Sequence, residues 1–385
     1  MFFVDVGQGD GALIECPQGV IVVDGGRGSA FHSFLRHRYR AIFDEGKQVH
    51  IKAMIVSHPD YDHYNGLQPI LRDNDFTVGQ IYHNGLMRYP EEIEDDEDRM
   101  VQKDYLSSVM MDGGAEAFFL TETIDDFDSI LKHMARMSPG FRSFWSDANK
   151  ARKEGRLQGA ARLWHDAEVE GFGTGEGLRL KVLGPVLTAL GGAEHFIAFG
   201  DPTYRTDERP SYPGHGYSHS HTRNGHSIVL RLEFGNHSIL LGGDLNIPAQ
   251  QHLMDELEAD RSQFRVDVAK ACHHGSADFS PEFLQWVEAQ ASVISSGESY
   301  DHPTPDAVGA LARHGRGSHP LLFSTELARA SGSRRIHYGL INLRSNGETL
   351  TMAQMKEEHR RGADVWDSYT VPWHGKFWYE RSREE

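Results

Sequence analysis

The chain has 385 residues, 39% of them hydrophobic and 25% charged, which is enough apolar material for a full core in a soluble protein. A formal net charge of −17 argues against a broad basic surface that grips nucleic-acid phosphates, although metal ions can supply positive charge locally. The two cysteines, Cys16 and Cys272, exclude a disulfide framework and a cysteine-based zinc cluster, and no apolar run approaches the roughly 20 residues that cross a bilayer.

The start, Met1-Phe2-Phe3-Val4-Asp5, lacks the basic flank and long apolar core of a secretion signal, so a cytoplasmic protein without membrane contact is expected. Phe2 to Val6, Ala12 to Cys16 and Val20 to Val23 read as strands, joined by the turns Gly7-Gln8-Gly9-Asp10-Gly11 and Pro17-Gln18-Gly19. Gly7 and Gly9 are not a dinucleotide fingerprint, because no helix follows them directly. Asp24, before Gly25-Gly26, ends the third strand, where a carboxylate can brace a neighbouring ligand. Ser29 to Glu45 reads as one helix, with Phe31, Phe34, Leu35, Ile42 and Phe43 on its buried face.

The next strand, 51–57, runs into Ser57-His58-Pro59-Asp60-Tyr61-Asp62-His63, a loop with two imidazoles and three carboxylates in six residues. Residues two apart in extended chain project to the same side, so His58 and Asp60 aim at one centre and the pair Asp62 and His63 at a second. Two adjacent cation sites follow from that spacing. A short helix at 67–71 and a strand at 76–83 come next.

From 85 to 175 the character changes to an acidic run at 91–98 and segments of helical spacing near 99–111, 122–137 and 141–169, which predicts a helical insertion able to cover a site or bind a partner protein. A strand at 178–183 and a long Gly-, Pro- and His-rich stretch at 190–222 follow. Ser227 to Phe234 and Ser238 to Leu241 form a hairpin around Gly235-Asn236, ending in Gly242-Gly243-Asp244. A helix (249–259), a strand (265–271) and His273-His274-Gly275-Ser276 lead to a capped helix at Ser280-Pro281-Glu282. A strand at 293–296, Tyr300-Asp301-His302-Pro303, a helix to about 314 and strands near 320–325, 336–343 and 349–354 complete the chain, before a Trp- and Tyr-rich end. Imidazoles and carboxylates thus recur at strand ends, which is how an α/β scaffold gathers ligands from distant segments.

Taken together, Val6-Gly7-Gln8-Gly9-Asp10, Val23-Asp24-Gly25-Gly26, the 57–63 loop, Gly242-Gly243-Asp244, His273-His274-Gly275-Ser276 and His302-Pro303 resemble the metallo-β-lactamase-fold hydrolases. Within them the chain is most similar to the soluble hydrolase domain of ComEC-type competence proteins. The resemblance covers about 1–85 and 175–355 and implies an α/β, four-layer αββα sandwich formed by 1–84 and 176–385, with 85–175 inserted. It implies a pair of divalent ions, zinc or manganese: His58 and Asp60 on one, Asp62 and His63 on the other, Asp244 bridging, His302 as the last ligand and Asp24 bracing the set. The ligand expected just before the strand at 227 is His226, with His215, His219 and His221 as neighbouring alternatives. His274 stands where related phosphodiesterases keep a histidine near the leaving group, as general acid or as a further ligand, while Asn224 and Ser276 are expected to touch substrate. Asp60 replaces the family's more usual histidine, which makes that site richer in oxygen and shifts its preference toward manganese.

The expected activity is hydrolysis of a phosphodiester in DNA, RNA or a nucleotide by a hydroxide generated at the dinuclear centre, with Asp62 and His274 taking part in catalysis. Ester, lactone or thioester hydrolysis at the same centre, or a metal-stabilised sensor or assembly module with little turnover, are the rival expectations.

Overall fold

The computed structural model describes residues 1–89, 106–110, 116–173, 177–190, 192–200, 218–297, 302–318, 320–325, 338–356 and 366–371. The acidic run at 91–98, His215, Tyr300, Asp301 and most of the aromatic C-terminal end lie outside these residues.

The first half of the chain alternates strands β1 (Phe2–Phe3), β2 (Gly11–Cys16), β3 (Gly19–Gly25), β4 (Val49–Val56) and β5 (Phe76–His83) with helices α1 (Ala30–Arg38), α2 (Arg40–Asp44), α3 (Tyr61–Tyr64) and α4 (Gln68–Arg72). A hairpin, β6 (Leu106–Met110) and β7 (Glu116–Leu120), precedes helices α5 (Phe127–His133) and α6 (Pro139–Lys153) and strand β8 (Leu157–Arg162). Then come β9 (Arg179–Gly184), the small hairpin β10 (Thr188–Leu190) and β11 (Ala193–His195), α7 (His219–Gly225), β12 (Val229–Phe234), β13 (His237–Leu241) and α8 (Ile247–Glu256). The rest is β14 (Val268–Lys270), α9 (Pro281–Val287), β15 (Ala291–Ile294), α10 (Pro305–His314), β16 (Leu321–Ser324), β17 (Tyr338–Ser345), β18 (Leu350–Lys356) and β19 (Trp366–Val371).

Among the described residues, nine strands make one sheet in the order β19-β18-β17-β1-β2-β3-β4-β5-β8, and six make a second, β16-β15-β14-β13-β12-β9. The two-residue period of a strand decides what each face buries. On β3, Ile21 and Val23 turn inward to a core shared with Leu230, Leu241 and Val293 of the second sheet. Val22 turns outward and packs with Phe31, Leu35 and Ile70 beneath the helices. The outer face of the second sheet does the same with Leu253, Phe283 and Trp286 of α8 and α9. Helix, sheet, sheet and helix form the four layers of an αββα sandwich, as expected.

Local readings differ in two places. The helix expected over 29–45 turns at Tyr39, a buried residue between α1 and α2, and so Ile42 is left 36% exposed. Within 85–175, the stretches 106–110 and 157–162 are strands rather than helix. Leu157–Arg162 has the Ala and Arg of a helix former, but parallel pairing with β5 outweighs that weak preference. Helix α6 buries Phe141, Phe144 and Trp145 in the same core as β3–β5. Among the described residues no helix is long and apolar enough to cross a membrane.

Candidate metal centre

Strands β3, β4, β5 and β8 run parallel, as do β13, β14, β15 and β16. Their carboxyl ends therefore deliver side chains to one edge of the sandwich: Asp24 ends β3, the 57–63 loop follows β4, Asp244 follows β13, His274 follows β14 and Ser295 follows β15. Two glycines let backbones close on the loop. Gly9 has φ +117°, and a Cβ there would lie 2.1 Å from the Asp62 carbonyl oxygen. A Cβ on Gly66 would lie 1.8 Å from Gly25 O, where its N–H instead donates to Gly26 O at 2.8 Å.

The three imidazoles His58, His63 and His274 are fully buried and stack side by side, with centroids 4.0 Å apart for the first pair and 5.2 Å for the second. Each has one ring nitrogen fixed by a partner behind it. His63 Nδ1 donates to Asp24 Oδ2 at 2.9 Å, while Asp24 Oδ1 accepts from Ser57 N at 2.8 Å. His274 Nδ1 donates to the Ser295 carbonyl at 3.0 Å. The Ser227 hydroxyl gives its proton to Asn224 O at 2.8 Å, so toward His58 Nδ1, 3.2 Å away, it acts as acceptor. With Nδ1 of each ring held from behind, Nε2 of all three rings is aimed into the site. Those three Nε2 atoms are buried and make no hydrogen bond.

What they face is carboxylate. Asp244 Oδ2 lies 3.1 Å from His274 Nε2, 3.3 Å from His63 Nε2 and 3.9 Å from His58 Nε2, and Asp62 Oδ2 is 3.9 Å from His274 Nε2. Ligand atoms of His58, His63 and Asp244, and again of Asp62, His63 and His274, lie within 4.8 Å of one another. Three imidazoles aimed by Nε2 and two carboxylates form a donor set that fits divalent cations, which would displace the ring protons; without a cation the buried Nε2 atoms make no hydrogen bond.

The electrostatics point the same way. Burial alone lowers a histidine pKa, yet Asp244 and Asp10 overcome it at His274 and hold it up at about 9. Asp244 and Asp24 likewise raise His63 well above its ordinary value against burial. Burial and the neighbouring His63 push His58 down to about 3. The pocket attracts positive charge, and one such charge is built in. Lys270, buried at the end of β14, pairs with Asp10, donates to Gly243 O at 2.9 Å and lies 3.6 Å from Asp244 Oδ1. Asp10 in turn sits 3.3 Å from His274 Nδ1.

Of the residues expected to hold metal, His58, Asp62, His63 and Asp244 meet here, joined by His274. Asp60 does not. Its Oδ1 accepts from Arg88 Nη1 at 2.6 Å and Arg223 Nε at 2.8 Å, and with its amide nitrogen turned to them Asn224 donates to Asp60 Oδ2 at 3.1 Å. With both oxygens engaged by these donors, the carboxylate is turned from the centre. His226 packs between Phe196 and Phe199 with Nε2 2.7 Å from Ile197 O, and burial lowers its pKa to about 3. His302 lies against His273, ring centroids 5.8 Å apart, outside the groups just described. Ser276 Oγ accepts from Asp278 N at 3.2 Å, a local turn contact. Asp10 and Lys270 were given no role by the sequence reading, although a lysine inside the apolar run Val266–Ala271 is the signal that could have found one.

This architecture, with imidazoles and carboxylates gathered at one edge of paired sheets, defines a metallohydrolase of the αββα class. The chain belongs to the metallo-beta-lactamase superfamily, whose profile matches residues 4–302. It is also similar to ComE operon protein 3 of Bacillus subtilis (strain 168), 33% identical over 96 residues, which is 24% of this chain and 12% of that protein. Among solved structures, the metallo-beta-lactamase fold protein YhfI from Bacillus subtilis matches 84% of this chain and 94% of its own at 10% identity and a TM-score of 0.41. A metallo-beta-lactamase from Cronobacter sakazakii matches 69% and 72% at 11% identity and a TM-score of 0.27.

Proposed function

We propose that this protein hydrolyses phosphodiesters, in DNA, RNA or a nucleotide, at a pair of divalent cations. The convergence of three buried Nε2 atoms, none with a hydrogen-bond partner, on Asp244 and Asp62 carries the proposal. Divalent cations held there supply Lewis acidity and lower the pKa of a water molecule. His58, His63 and His274 would hold them through Nε2, with Asp244 and Asp62 completing the donor set. His274, with Nδ1 fixed on Ser295 O and Nε2 3.1 Å from Asp244 Oδ2, would serve as a ligand once a cation displaces its Nε2 proton. Asp24 fixes the ring of His63 and the start of the loop together.

Formal charge favours two ions. Asp10, Asp24, Asp62 and Asp244 bring four negative charges, and Lys270 returns one positive. Arg27, 3.8 Å from Asp62, returns a second, so one divalent ion leaves the pocket neutral and two leave it positive, the sign that suits a phosphodiester anion. Three imidazoles among five ligands suit zinc, so the expected preference moves from manganese toward zinc.

The test is metal content of the natively purified protein, followed by hydrolysis of bis(p-nitrophenyl) phosphate and single-stranded DNA against p-nitrophenyl acetate and a lactone, with zinc and with manganese. Diester cleavage that is lost in His63→Ala and Asp244→Asn is the expected result. Ester or lactone turnover far exceeding diester turnover, sensitive to the same substitutions, overturns the substrate assignment.

A further inference from the structure

Next to the metal centre lies a second charged group that metal ligation does not use. Two guanidiniums, Arg88 from the segment after β5 and Arg223 from α7, bond to a single oxygen of Asp60. Asp60 is only two residues from His58 in sequence and acts on it electrostatically. The cluster is not sealed in the core: Arg223 keeps 14% and Arg88 17% of its side-chain surface exposed. A third guanidinium, Arg27, is 39% exposed and stands 3.8 Å from Asp62, the other carboxylate of the loop that is not fully buried. In a chain of net charge −17, three arginines stand around the acidic loop of one site.

Arg223 has the most to offer. A guanidinium has five N–H donors in a fixed fork, and Arg223 uses its Nε on Asp60. Neither Nη is a buried, unpartnered atom, so both remain open at the rim. The same side chain lines a small pocket with Tyr89, Leu120, Glu122, His219 and Thr222, in which the Glu122 carboxylate is already paired with Arg136 at 2.7 Å, and it links that pocket to Asp60 on the loop that carries His58 and His63. A neutral carboxyl ester has no use for this fork, whereas a phosphate oxygen pairs with it through two parallel N–H bonds.

We infer that Arg223, aimed by Asp60 and backed by Arg88, is a substrate-binding residue that receives a non-bridging phosphate oxygen, making the site selective for phosphate esters over neutral esters. It rests on the hydrolase reading above and deepens it by naming the anion-binding residue. Asp60 is then a positioning residue, whose carboxylate holds both guanidiniums in register.

The experiment uses the full-length, metal-loaded protein and two variants, Arg223→Met and Arg223→Lys, with inorganic phosphate as the probe in calorimetry and bis(p-nitrophenyl) phosphate and p-nitrophenyl acetate as substrates. Loss of charge-assisted bonds predicts phosphate binding weakened by roughly 10- to 100-fold in Arg223→Met, with unchanged metal content. Arg223→Lys keeps the charge and the pairing to Asp60 but not the fork, and is expected to fall in between. KM for the diester should rise in parallel while acetate turnover is unaffected. Phosphate affinity equal to wild type in Arg223→Lys and Arg223→Met overturns the inference, as does an equal effect on both substrates; should Arg223→Met fail to fold, Arg223→Lys alone decides. Arg223-dependent phosphate binding without diester turnover supports the clamp and sinks the hydrolytic reading. Diester turnover indifferent to Arg223 does the reverse.

Discussion

Lys270 offers the sharpest test of the electrostatic account. Replacing it with methionine keeps most of the side-chain volume and removes the cation from between Asp10 and Asp244, both buried. At 3.6 Å from Asp244 Oδ1, the lost attraction is about 4–5 kcal/mol in an effective dielectric of about 20. Desolvating Lys270 offsets part of that, and removal of one partner of a buried pair costs about 3–5 kcal/mol in general. The metal-free Lys270→Met protein should therefore unfold in urea at a clearly lower midpoint, by about 3 kcal/mol or more. Adding Asp10→Asn to it removes the stranded carboxylate, so the double variant should regain much of the loss, and divalent cations should narrow the deficit of the single variant. A cost below about 1 kcal/mol, or a double variant as unstable as the sum of the two single ones, would show that the pair does not carry this charge balance.

Asp24→Asn weakens the acceptor for His63 Nδ1 and Ser57 N, so metal affinity, read by competition with a chromogenic chelator, should fall by about 10- to 100-fold; an unchanged affinity counts against it. For pH, His274 is raised from 6.5 to about 9 in the folded, metal-free protein. Its contribution to stability is then full below pH 6.5 and is lost as pH rises through about 9, while metal affinity climbs over the same window as the proton competes less. Denaturation and metal titrations between pH 6 and 9.5 should show these opposite slopes, and parallel slopes would refute the coupling. Trp145→Ala, in a fully buried ring of α6 packed against Phe127 and Phe141, should cost about 3–5 kcal/mol of stability for the domain; a loss confined to local proteolysis near 139–153 would instead mark α6 as a detachable element.

The layered fold was legible because its cause is local. Short unbroken apolar runs along Gly11–Cys16 and Gly19–Gly25, bounded by turn residues, identify strands with two buried faces, and helical spacing between strands identifies the outer layers. Strand β8 was not legible, because Leu157–Arg162 is favoured as a strand only by the neighbouring edge of β5. The break at Tyr39 was equally hidden, since periodicity continues across it and tertiary packing decides which turn is buried.

At the site, His58, Asp62, His63 and Asp244 converge, whereas Asp60, His226 and His302 turn elsewhere. His63 and Asp62 are adjacent on the first turn of α3, and Asp244 ends a glycine-flanked strand, so each has a local signal. His226 and His302 stand at the expected places relative to their elements, but position does not fix side-chain direction: one ring turns in between Phe196 and Phe199, the other toward His273. Asp60 shows the limit of the two-residue rule. The rule holds only while the chain stays extended on both sides, yet Pro59 precedes Asp60 and helix α3 begins at Tyr61, with Asp60 as its N-cap at φ −90° and ψ 149°. The chain turns at the residue whose direction was being inferred. Once turned, a carboxylate beside Arg88 and Arg223 gains two charge-assisted hydrogen bonds, and it is His274 from the other sheet whose Nε2 faces Asp244.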